Sequence, residues 1–63
     1  MATELETYTR AMVAGQIDTC IRIEQRHGLF GYPPEVVGVG LAAHDKGEDV
    51  DAAVDAYLSG GDA

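Results

Sequence analysis

The segment EVVGVGLAAH, Glu35 to His44, carries the valines that favour a strand, and no other stretch of the 63 residues alternates apolar and polar side chains to pair with it. A lone strand would leave its backbone groups without partners, so the segment is read instead as a helix from about Pro34 to Asp45. Everything around it repeats at helical spacing, and the fold class expected is therefore all-α. Pro34 suits a first helical turn, where the missing N–H costs nothing.

The remaining boundaries follow from caps and breakers. Thr3 followed by Glu6 is a capping-box pattern that starts a helix at about Glu4. Apolar residues then recur at Leu5, Tyr8, Met12, Val13, Ile17, Cys20 and Ile21, one face with a spacing of three and four. Gly15 interrupts it, so either one helix runs to about Arg26 or two short ones meet there. A continuous helix, bent near Gly15, is favoured, with Asp18 and Arg22 placed as an i, i+4 pair. His27-Gly28 closes it and Lys46-Gly47 closes the next. Asp49 then caps a last helix over Val50 to Leu58, whose Val50, Ala53, Val54, Tyr57 and Leu58 share a face. The expectation is one compact three-helix domain over 1–63, with a long N-terminal helix and a frayed tail at 60–63.

So short a chain buries only about 60% of its unfolded surface and is marginal alone. A single cysteine excludes an internal disulfide, so packing must stabilise the fold. The charge is −7, with 11 acidic side chains against 4 basic ones. A surface of that sign repels phosphate backbones and anionic bilayers, which argues against direct nucleic-acid or membrane binding and for a basic protein partner. The N-terminus has no apolar signal-like core and no run reaches a membrane span, so a cytoplasmic location is expected.

Three chemical patterns fail on inspection. Gly38-Val-Gly-Leu-Ala-Ala43 imitates a dinucleotide-binding fingerprint, but that motif needs a strand-to-helix turn within a βαβ unit, for which there is no room. Its glycines are read as places where a neighbouring backbone approaches the helix from Pro34 to Asp45, with Val37 and Leu41 facing the core. The acidic surface Asp45, Glu48, Asp49, Asp51 and Asp55 lacks EF-hand spacing: counted from Asp45, position 6 is Val50 and position 12 is Ala56. Cys20 and His27 lie seven residues apart, roughly 10 Å along a helix, too far for a nucleophile and its base. Cys20 is expected to be a buried apolar thiol and His27 and His44 surface histidines. No catalytic, metal or cofactor residues are assigned, and the chain is read as non-enzymatic.

From about Ile17 to Ser59 the chain resembles a ubiquitin-associated (UBA) domain: Phe30-Gly31-Tyr32 at the loop, Val36, Val37, Gly40 and Leu41 in the next helix, then DVDAAVDAYL over 49–58. The resemblance implies a three-helix fold and a ubiquitin-facing patch at Phe30, Gly31, Tyr32, Tyr57 and Leu58. Two functions follow as expectations. One is a protein-interaction module acting through that apolar patch, its partner basic or bearing an apolar groove. The other is an acidic inhibitor or antitoxin-like blocker, of the phage anti-defence kind, that occupies a partner's basic nucleic-acid-binding surface. A homodimer through the N-terminal helix is also expected, from Val13, Ile17, Ile21 and Ile23.

Overall fold

Helix α1, Glu4–Val13, begins where the sequence places it: the Thr3 hydroxyl accepts the Glu6 N–H at 3.1 Å. The Glu6 carboxylate does not reach back to the Thr3 backbone; it accepts a hydrogen bond from the Thr3 hydroxyl instead, at 3.3 Å. A computed structural model describes residues 2–60. Among them four helices follow in order, α1, α2 (Ile17–Arg26), α3 (Pro34–Asp45) and α4 (Val50–Leu58), with no strand. All-α is therefore correct, but the three-helix count and the long N-terminal helix are not.

The correction rests on Gly15. With φ of +75° it takes the left-handed conformation, its N–H bonds Met12 O at 3.2 Å, and the Gln16 N–H reaches Ala11 O at 2.8 Å. These two bonds are the closing pattern of a Schellman cap, which satisfies carbonyls at a helix end and turns the chain out of its axis. Gly28 closes α2 in the same way, with Leu29 N–H on Glu24 O at 2.7 Å. Gly15 is thus a stop signal of the same chemistry as Gly28, not a defect inside one helix.

The turn folds α2 back on α1 as an antiparallel hairpin, since Glu4 meets Arg26 and His27 while Tyr8 meets Cys20 and Glu24. This hairpin changes which apolar residues reach the core. Tyr8, Ala11, Cys20 and Ile23 are buried, whereas Met12, Val13 and Ile17, placed with Tyr8 and Cys20 on one face of a continuous helix, are exposed. Helices α3 and α4 form the second hairpin and the most extensive helix contact, and α1 packs against α3. The core is Tyr8, Ala11, Cys20, Ile23, Leu29, Val36, Val37, Leu41 and Val54, flanked by Leu5 and Val50. Helix α4 is capped as expected, Asp49 accepting the Ala52 N–H at 3.2 Å. Of the tail expected to fray at 60–63, Gly60 is described, its N–H bonding Tyr57 O at 3.1 Å, and 61–63 lie outside the described residues.

Candidate functional site

Leu29 is the anchor of the loop that carries the candidate patch. Its side chain is 2% exposed and lies against Gly40 of α3. That leaves the next three residues on the outside: Phe30 and Tyr32 are 59% and 39% exposed, and Gly31, with φ of +94°, turns the chain between them. Pro33 and Pro34 then stiffen the entry into α3.

Tyr57 and Leu58, 47% and 53% exposed, end α4. The sequence pattern groups them with Val50, Ala53 and Val54 on one face, yet only Val54 is buried. Helix α4 packs chiefly on α3, and nothing among the described residues covers its last turn. The short connection at 46–49 joins α4 to the end of α3. All five residues of the candidate patch are on the surface.

The acidic residues divide by role. Asp45 accepts the Leu5 N–H at 3.2 Å and so ties the end of α3 to the first turn of α1, where the helix dipole favours a carboxylate. Asp49 is an N-cap. Glu48, Asp51 and Asp55 are exposed, and among the described residues none of their side chains accepts a hydrogen bond. The charge is unevenly spread along the chain. Residues 1–33 hold three arginines against four carboxylates, a net −1, and residues 34–63 hold Lys46 against seven, a net −6.

A polar cluster that the sequence gives no sign of lies where α1 starts and α2 and α3 end. Glu4 Oε2 accepts from Arg26 Nη1 at 2.7 Å and meets His27 Nε2 at 3.1 Å. The His27 ring stands edge-on to His44, centroids 4.4 Å apart. His27 is thereby corrected from a surface residue: its side chain is 8% exposed, while His44 remains exposed. These partners are 22, 23 and 17 residues apart, separations no local pattern encodes. Among the described residues, no group of three His, Cys, Asp or Glu could hold a metal ion.

Cys20 is buried, as expected, with its Sγ 3.9 Å from Tyr8 O. Burial, and then the Glu24 carboxylate, push the thiol pKa up, the reverse of what a nucleophilic cysteine needs. Tyr8 is shifted upward too, first by burial and then by donating its hydroxyl to Glu24 Oε2 at 2.9 Å. Asp18 and Arg22 do not form the i, i+4 pair; the guanidinium donates to Thr19 Oγ1 at 3.3 Å. Both line an open depression of ≈ 480 Å³ at the α1–α2 turn, with Gly15, Gln16, Ile17 and Thr19. No described helix is long and apolar enough to cross a membrane. No family model, curated protein or solved structure matches the chain.

Proposed function

We propose that the chain is a non-enzymatic, acidic interaction module that binds a protein partner through Phe30, Gly31 and Tyr32 of the loop and Tyr57 and Leu58 at the end of α4. The observation that carries this reading is the exposure of four large apolar side chains beside a core that already closes without them. Scattered surface apolar residues are ordinary, but a loop and a helix end that together expose two tyrosines, a phenylalanine and a leucine make a patch whose burial favours association. Tyrosine in particular brings contact area at little entropic cost.

Charge describes the partner. The patch straddles the two halves, with Phe30, Gly31 and Tyr32 in the half of net charge −1 and Tyr57 and Leu58 in the half of net charge −6, and Glu35, Asp51 and Asp55 are exposed on α3 and α4. A basic rim around an apolar groove complements it, and salt slows such an encounter. The UBA resemblance makes ubiquitin the first partner to titrate. In an isotope-labelled sample, the amides of 30–32 and 57–58 should shift on binding. A folded Tyr32→Ala, Leu58→Ala double variant should lose whatever partner co-purifies with the native chain. Retention of every partner by that variant overturns the proposal.

The same charge asymmetry supports the second reading, a blocker of a basic nucleic-acid-binding surface. There the carboxylates would dominate: Asp51→Asn with Asp55→Asn should abolish binding while the apolar double variant keeps it.

A further inference from the structure

We propose that the α1–α2 turn is a self-association surface, at which Val13 and Ile17 of one copy pack on the same residues of a second copy across a two-fold axis. Asp18 of each copy then pairs with Arg22 of the other.

Exposure is the first argument. Val13 is 85% exposed, Ile17 64% and Met12 42%, and only Ala14, Gly15 and Gln16 separate the first two. The turn is held by its backbone bonds at Gly15 and Gln16, so the apolar tip is fixed in shape before any partner arrives, which lowers the entropic cost of docking. The basis is narrower than the sequence pattern implies, because Ile23 is in the core and Ile21 is half-buried.

Charge selects the occupant. Two chains of −7 repel, and the repulsion is concentrated in residues 34–63, at −6. A second copy can approach most easily on the part of the chain that is close to neutral, and the α1–α2 turn belongs to it. An isologous contact also sets each group against its complement. Asp18 and Arg22 fit this: they flank Ile17 on the same depression, yet they do not pair within the chain, and both ion pairs among the described residues belong to Glu4. A chain this small also gains stability from any association that binds only the folded form.

The surface is smaller than the roughly 800 Å² per partner of a stable dimer, which places the contact in the weak class. Sedimentation equilibrium over a concentration series should show a monomer–dimer equilibrium that tightens as added salt screens the long-range repulsion. Val13→Asp with Ile17→Asp should give a monomer of unchanged helicity, since neither side chain is in the core. Arg22→Asp should weaken association by about tenfold or more, and Asp18→Arg added to it should restore most of the loss, because the exchange leaves net charge unaltered. A native chain that stays monomeric up to about 1 mM overturns the proposal. So does a dimer that survives Val13→Asp with Ile17→Asp, or an Asp18→Arg, Arg22→Asp exchange that fails to recover it.

Discussion

The two hairpins are held by different forces. Between α1 and α2 the links are polar and specific: Tyr8 to Glu24, Cys20 to Tyr8 O, and Arg26 and His27 to Glu4. Apart from Asp45, which reaches Leu5 of α1, the side-chain hydrogen bonds of α3 and α4 are local, the Asp49 cap and Ser59 Oγ donating to Ala56 O, and none among the described residues runs between α3 and α4. The cause is composition. Between Glu35 and His44 the stretch PEVVGVGLAAHD has no side chain able to hydrogen-bond, so α3 meets α4 by packing, while IDTCIRIEQR alternates apolar anchors with charged arms. One hairpin should therefore respond to volume and the other to pH and salt.

The sharpest way to break that contrast is at Gly40. A Cβ there would stand 2.5 Å from Leu29 Cδ1 and 3.3 Å from Val50 Cγ1, and Leu29 is buried with little room to turn. Gly40→Leu adds four carbons at this junction and should cost about 3 kcal/mol or more. That is comparable with the whole stability of a chain this size, roughly 3–9 kcal/mol. Gly38 is the control: nothing lies within 4 Å of its would-be Cβ. Gly38→Ala should stabilise by about 0.5–1 kcal/mol through helix propensity alone. Chemical denaturation of both variants checks the pair, and equal effects would deny that volume at Gly40 governs the α3–α4 side.

Tyr8 tests the other hairpin. Tyr8→Phe removes a hydrogen bond to a carboxylate and should cost about 1–2 kcal/mol near neutral pH. Its pH dependence has a definite sign. The phenol pKa is raised in the folded protein, so above the ordinary value near 10 the unfolded chain loses the proton while the folded one keeps it. Stability is therefore intact below that value and falls as pH rises beyond it. Cys20, also shifted upward, should add to the decline from a lower pH, because an ordinary thiol ionises before a phenol. Denaturation midpoints measured from pH 7 to 11 should fall steeply for the native chain and more gently for Tyr8→Phe.

What the sequence revealed and what it hid divide along the same physical line. The spans of α3 and α4 and the caps at Thr3 and Asp49 were legible because caps, breakers and periodicity are local. Gly15 was misread although its signal is local: the apolar spacing runs smoothly from Val13 to Ile17, and continuity of pattern outweighed a glycine that ends a helix as Gly28 and Gly47 do. The burial of Val37 and Leu41 was readable, but the role shared between Gly38 and Gly40 was not. Gly40 alone makes room, and for the side chains of Leu29 and Val50, not for a backbone. The exposure of the candidate patch at Phe30, Tyr32, Tyr57 and Leu58 depends on how far α4 is covered, and that is a property of the packed hairpins. Buried Tyr8 required a hydrogen-bond partner on general grounds, but only the fold of α2 back onto α1 identifies it as Glu24.

The smallest effect belongs to Glu4, which gathers Arg26 and His27 on one oxygen. Its short contacts look strong, yet the Arg26 side chain is 63% exposed, and water screens a pair of that kind. Glu4→Gln keeps an acceptor near His27 and removes only the charge, so it should destabilise by less than about 1 kcal/mol. The effect should nearly vanish in about 1 M salt, where the Debye length shrinks to ~3 Å. Among the described residues the α3–α4 side offers no ion pair to screen, so the Gly40→Leu penalty should survive the same salt. A Glu4→Gln cost that persists undiminished would mean that this corner, like Gly40, is governed by packing, and the distinction between the hairpins would fail there first.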